Sequence, residues 1–222
     1  MKIFARQHWW AGVVSKNFYP AAVYVSFQHE TPDQDPADNE FIYVLISVFD
    51  NNGSYDQIGF AAWHGNWKII YSWTTYNARE GRVEYHHEIT DISLKDDWVY
   101  LFEMYTNGNG RVTFQVEGHA VDGSWRWETV FRKTVTTGGS YFIIAPQYYN
   151  PWSHETYRDF TDYEEGVIGW AYPHINYDLM YTTIIFYNGQ MMYFNDWYVF
   201  YDNAPSGVYV YYTPNRAHIL NY

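Results

Sequence analysis

The stretch Asn107-Gly108-Asn109-Gly110-Arg111-Val112-Thr113-Phe114-Gln115-Val116-Glu117 decides the fold class. Val112, Phe114 and Val116 alternate with Arg111, Thr113, Gln115 and Glu117, the period-two pattern of a strand with one face buried and the other wet. The Asn-Gly pairs before it tolerate positive φ, as a tight hairpin requires, so this strand is expected to pair antiparallel with Trp98–Tyr105 upstream. Working outward, the same grammar repeats. Strand candidates at Val23–Gln28, Phe41–Phe49, Tyr55–Ala62, Trp67–Thr74 and Arg82–Ile89 precede the hairpin. Trp125–Val135, Tyr141–Tyr149, Thr161–Gly169, Tyr181–Tyr187, Met191–Tyr201 and Val208–Thr213 follow it. Asn51-Asn52-Gly53, Asp122-Gly123 and Asn188-Gly189 mark further turns, the last joining Tyr181–Tyr187 to Met191–Tyr201. Phe41–Phe49 is apolar on both faces and belongs in the middle of a sheet. No amphipathic helix of ordinary length interrupts the series. The expected fold is all-β, a two-sheet antiparallel β-sandwich of the jelly-roll, concanavalin A-like kind.

The 25 Tyr, 14 Phe and 11 Trp among 222 residues supply the rings for such a core and leave others for its surface. No linker divides the aromatic pattern, so residues 1–222 read as a single domain, with the acidic run Glu30–Glu40 as a loop. The Tyr-rich C-terminal third, about residues 172–222, is expected either to add edge strands or to dock a neighbouring subunit, which would make a homo-oligomer. A net charge of −12 with no Lys/Arg stripe argues against nucleic acid and against an anionic membrane surface. No apolar run is long enough for membrane insertion. Only 17% of residues are charged, so the surface is largely polar and neutral and tolerance of acid is expected.

Cysteine is absent, which excludes disulfides and thiolate metal sites. The adjacent His86 and His87 point to opposite faces of a strand and cannot share a metal, and no phosphate-loop, dinucleotide or nucleophile-elbow motif occurs. The expectation is no metal and no cofactor. The start MKIFARQHWW lacks a signal-peptide apolar run, so an extracellular or virion-surface protein without a visible leader is expected.

Three groups of residues offer chemistry. On the strand Tyr55–Ala62, Gln57 shares a face with Tyr55, Gly59 and Ala61, whose small side chains leave space for a ligand floor; the plainer alternative is a buried amide bonded across the strands. Asp162 and Glu164 lie on one strand face at i and i+2, about 6.6 Å apart, a carboxylate spacing that suits acid–base work, with Glu165 beside them; a solvated edge is the alternative. Trp63, Asn66, Trp67 and Trp73 surround a turn where flat rings stack on sugars, core packing being the competing use. Together Gln57, Trp63, Asn66, Trp67, Trp73 and Asp162 form the expected ligand site.

Between Glu40 and Gly169 an apolar strand (FIYVLISVFD) leads through a Gly turn to YDQIGF, then to an aromatic strand ending Tyr71-Ser72-Trp73, a DDW-initiated strand, the NGNG hairpin, TGGSYFII and TDYEEG. This order of elements resembles the concanavalin-like β-sandwich of the glutamic peptidases and of the thermopsin-like proteins of acidophilic archaea. The resemblance implies a glutamine and a glutamate on neighbouring strands that activate water and stabilise an oxyanion, and Gln57 fills the glutamine position. The family's F-I-I-E pattern is broken, because Phe142-Ile143-Ile144 is followed by Ala145. Glu164 or Glu165 would replace the missing acid only if their strand lies beside that of Gln57. The leading expectation is therefore a non-catalytic glycan-binding or assembly protein that contacts carbohydrate or a protein surface. The alternatives are an acid-active hydrolase using Gln57 with Glu164 or Glu165, and a self-assembling coat or filament subunit.

Overall fold

The computed structural model describes residues 8–16, 20–29, 42–49, 55–63, 66–77, 79–95, 97–106, 111–123, 125–136, 147–150, 155–158, 162–170, 175–186, 191–192, 198–202, 206–213 and 216–221. Every regular element among them is a strand. In chain order these are β1 (His8–Lys16), β2 (Pro20–His29), β3 (Ile42–Phe49), β4 (Tyr55–Trp63), β5 (Asn66–Asn77) and β6 (Arg82–Ser93). Next come β7 (Trp98–Thr106), β8 (Arg111–Ala120), β9 (Glu128–Thr136), β10 (Gln147–Asn150), β11 (Glu155–Arg158) and β12 (Asp162–Trp170). The series ends with β13 (Ile175–Phe186), β14 (Met191–Met192), β15 (Tyr198–Asp202), β16 (Val208–Thr213) and β17 (Arg216–Asn221).

Two antiparallel sheets form the sandwich. The first runs β15-β1-β12-β3-β4-β5-β6 and the second β16-β17-β13-β2-β7-β8-β9, with β14 beside β13 and the ribbon β10-β11 apart. The all-β sandwich expected from the alternation is the fold observed. β3, in an apolar stretch of sequence, occupies the middle of the first sheet, and β7 pairs antiparallel with β8, as expected, in the register Phe102↔Val116 and Met104↔Phe114. Val112, Phe114 and Val116 point inward and are buried. They meet Ile58, Phe60, Ile69 and Tyr71 of the first sheet together with Phe102 and Met104, one cluster spanning both layers. Rings dominate the contact: Tyr71 lies 5.4 Å from Phe114 and 5.1 Å from Phe131, and Phe60 lies 6.0 Å from Phe102. The Tyr71 hydroxyl, at the end of its buried ring, donates to Glu88. Burial first, and then the Glu88 hydrogen bond and charge, hold its pKa above the ordinary tyrosine value.

Several boundaries differ from the sequence reading, each for a local reason. β1 was not expected, since HWWAGVVSK carries no clean alternation; its place between β12 and β15 covers both of its edges with hydrogen bonds. β17, with the mixed sequence RAHILN, is held by pairing with β13 and β16. The strand expected from Trp125 begins at Glu128, because the backbone before it turns, Val121 N–H donating to Asp97 C=O and Gly123 N–H to Ala120 C=O. The Met191–Tyr201 run divides: Met191–Met192 pairs antiparallel with β13, while Tyr198–Asp202 joins β1 in the other sheet. Of Tyr141–Tyr149 only the part from Gln147 is described, and Glu30–Glu40 lies outside the described residues.

The outward face of the second sheet buries one carboxyl. Glu103 is 7% exposed and accepts from Gln115 Nε2 at 2.7 Å, while the same nitrogen donates to Glu117 at 3.0 Å. Burial above all, then the Glu117 charge, pushes the Glu103 pKa up from 4.5 to about 7, against smaller opposing effects of the Gln115 hydrogen bond and Arg132. A pKa raised on folding means the native state holds the proton more tightly than the unfolded chain. The stabilisation is therefore complete below about pH 4.5 and lost as pH rises through about 7. Glu103→Gln should remove this component, leaving the parent less stable than the variant at pH 8 by on the order of 2–3 kcal/mol and the gap closing by pH 4.5. Urea unfolding of both proteins across that range measures it, and parallel stability curves would contradict it.

Candidate functional site

Strand pairing places six residues at one level across the first sheet: Val14, Glu164, Ser47, Gln57, Ser72 and His87. Residues directly opposite in antiparallel strands share a face, and for the described side chains Ser47, Gln57, Ser72 and His87 this is the face turned away from the second sheet. At the neighbouring level Ile46, Ile58 and Tyr71 face the sandwich interior, and Glu165 is paired with Ile46 in the backbone register.

The middle of the row is a hydrogen-bonded chain. Ser72 Oγ donates to Gln57 Oε1 at 2.9 Å, and Gln57 Nε2 donates to Ser47 Oγ at 2.8 Å. All three side chains are buried, Gln57 to 6% exposure. Donation thus runs in one direction, from β5 through β4 to β3. The Ser47 hydroxyl keeps a hydrogen of its own to give, and the next strand in that direction carries Glu164 at the same level. Along the face from this row Leu45, Ala61 and Ile70 form a small second apolar cluster, with Ile89 packed against it. Burying a serine–glutamine–serine chain beside such a cluster is tolerable only because each polar atom is matched.

The expected ligand site is dispersed by these positions. The space anticipated above Gln57 is not open: Gln57 is buried and its amide is engaged at both ends. On β5 the odd positions Trp67, Ile69, Tyr71 and Trp73 take the inward face, so Trp67 is buried in the core and Trp73 stacks on Tyr71 at 5.5 Å and on His86 at 5.0 Å. Neither ring shares the Gln57 face. Asn66 does, but it is exposed at the start of β5, six residues from Ser72, or about 20 Å along the strand. Trp63 pairs with Asn66 at that same end, and its side chain lies outside the described residues. Asp162 sits one same-face step from Glu164, opposite Phe49. For Asp162, Glu164 and Glu165 the backbone level is described and the side chains lie outside the described residues, as do Phe142 to Ala145. The requirement that the acid strand lie beside β4 is not met as stated: β12 and β4 flank β3, with Ser47 between them. Among the described residues no group of three or more His, Asp or Glu side chains is placed to hold a metal.

Comparison with known proteins gives fold-level relatives. The chain is similar to SCP-B, a member of the eqolisin family of peptidases solved with the tripeptide Ala-Ile-His, at 9% identity and a TM-score of 0.61, covering 98% of this chain and 100% of that one. It is equally similar to scytalido-glutamic peptidase bound to a peptide-based transition-state analogue, at 8% identity and TM-score 0.60, and bound to a transition-state analogue inhibitor, at 9% and 0.63, with the same coverage. No family model matches, and no curated protein matches. At these identities the likeness is one of fold: the whole chain has the sandwich architecture of the glutamic peptidases.

The serines flanking Gln57 were missed in the sequence because their partnership depends on long-range register. One signal was present for β5, whose alternation of rings at odd positions with Ser72 and Thr74 at even ones separates core from row. Removing either serine strands one atom of a buried amide. Ser47→Ala and Ser72→Ala are each expected to cost about 1–3 kcal/mol, whereas the triple variant with Gln57→Leu should lose less than the summed singles, since no unmatched amide remains. Urea unfolding tests the pattern, and single variants as stable as the parent would contradict the hydrogen-bonded row.

Proposed function

We infer that the chain is an acid-active hydrolase of peptide bonds, with Glu164 as general base and Gln57 as oxyanion donor. The observation that carries this reading is the register Glu164–Ser47–Gln57, a carboxyl and an amide at one level of one sheet face, separated by a hydroxyl. Two strand spacings set the two backbones about 9–10 Å apart, and a water and a carbonyl enter between the side chains only when the Gln57 amide turns out from its buried position beside Ser47. Glu164 takes a proton from the water as its oxygen attacks the carbonyl carbon. Gln57 Nε2, released from Ser47, donates to the oxygen that gains charge, and Ser72 steadies the amide from behind through Oε1. The proton on Glu164 then passes to the leaving nitrogen as the C–N bond breaks. Glu165 belongs to the inward level and has no part in this scheme. A peptide is favoured as substrate because the solved proteins of similar fold are peptidases bound to a tripeptide or to transition-state analogues.

A second reading has its own observation. Gln57 is buried with both amide atoms occupied, and Ala145 stands where the F-I-I-E pattern carries its acid, which favours a non-catalytic sandwich whose polar row is a structural brace. One experiment separates the two. The hydrolase should degrade denatured casein in acid and lose activity as the pH falls through the ordinary carboxylate range and Glu164 takes up a proton, and Gln57→Ala or Glu164→Gln should each reduce kcat/KM by about 10²–10³-fold while Glu165→Gln leaves it unchanged. No cleavage at any acidic pH, or full activity in Glu164→Gln, would overturn the hydrolase and leave the brace.

A further inference from the structure

The strand connections gather tryptophan at one pole of the sandwich. β4 ends on Trp63, β5 opens with Trp67, β7 opens with Trp98, and the β8–β9 connection carries Trp125 and Trp127, five of the chain's eleven. Backbone bonds tie these connections together: Leu94 N–H donates to Trp67 C=O, and Val121 N–H to Asp97 C=O, both at 2.8 Å. Trp67 and Trp98 serve packing, the latter stacked 6.0 Å from Tyr100 with Lys95 Nζ 4.1 Å from its ring centroid. Trp125 does something else.

Trp125 is 82% exposed and Trp127 39%. Both rings rest on His119, at 5.3 Å tilted for Trp125 and 4.6 Å edge-on for Trp127. His119 is itself buried, and its Nδ1 donates to Ala120 C=O at 2.9 Å. The indole of Trp125 therefore leans at a tilt on a fixed ring and is otherwise presented to water, and that contact lowers the ordering cost of receiving a flat apolar ligand. The same two connections, joined by the Val121–Asp97 backbone bond, carry exposed hydrogen-bonding groups: Asp97, Asp122 and Glu128 as acceptors, Arg126 and Lys95 as donors.

We propose that this pole is a binding site for neutral pyranose oligosaccharides, stacked by their C–H face on Trp125, with Trp127 beside it. A pyranose carries both features the pole offers, an apolar face for the ring and hydroxyls that donate to carboxylates and accept from the guanidinium. The three carboxylates, in a chain of net charge −12, repel lipid phosphate and acidic polymers. Carboxylates are also depleted at the centres of protein interfaces, which separates this patch from a subunit contact. The site lies on the β7–β8–β9 sheet and does not use the Gln57 row, so it stands or falls independently of the hydrolase.

Calorimetric titration of the intact chain with cellohexaose, xylohexaose and mannohexaose tests it. At least one should bind saturably. Trp125→Ala should weaken that binding about tenfold or more, and Trp125→Phe should lose less because a flat ring remains. Both variants should unfold at the parent's urea midpoint, since Trp125 buries little. Absence of binding to all three sugars, or unchanged binding in Trp125→Ala, overturns the proposal. Trp125-dependent co-sedimentation with phosphatidylcholine vesicles in the absence of sugar binding overturns it in favour of a membrane surface.

Discussion

The structure depends on one packing constraint, the meeting of two sheets through rings that alternate at period two. Phe60 and Tyr71 from one layer and Phe102 and Phe114 from the other fill the space between them. A slip of one residue in any of these strands would exchange the buried ring set for its polar neighbours, so the core fixes register as well as stability. The arrangement proposed for the hydrolase is a consequence of that register. Because Ile58 must face inward, Gln57 must face outward; because Ile46 faces inward, Ser47 stands beside it on the other side.

The outward face of the first sheet then carries a cost that its hydrogen bonds offset. Ser47, Gln57 and Ser72 are buried, and a mismatch of one atom among them would be felt across the sheet. The second sheet shows a related economy, where Gln115 serves two carboxyls and the more deeply placed Glu103 titrates near neutrality. A buried carboxyl that prefers to be protonated favours the folded chain in acid. That agrees in direction with the acid tolerance expected from a surface poor in ionisable groups, through a specific residue that composition alone does not reveal.

How much of this the sequence discloses follows from the range of each interaction. The hairpin of β7 and β8 is written locally, in Asn-Gly pairs and in the alternation Val112, Phe114, Val116, and so is the central place of β3. Trp67 and Trp73 carry the same period-two signal, yet the turn-like setting of Trp63-His64-Gly65-Asn66-Trp67 drew them toward a ligand role that their inward positions exclude. Glu164 and Gln57 are more than a hundred residues apart in sequence. Their common level is fixed only when β12, β3 and β4 pair, which local propensity does not encode. β1 is hidden for a related cause: its sequence shows no alternation to read, and its place is set by long-range backbone pairing with β12 and β15.

The central proposal is that the Glu164 carboxyl and the Gln57 amide, whose backbones stand at one level on either side of Ser47, share one water. The most direct measurement is a crystal structure determined in acid, read for the separation of the Glu164 carboxylate and the Gln57 amide. The account predicts an approach within about 7 Å with one ordered water bridging the two, since hydrogen-bond reach on either side of a shared water allows no more. A Glu164 carboxylate turned away from Ser47, with no water between it and Gln57, would contradict it.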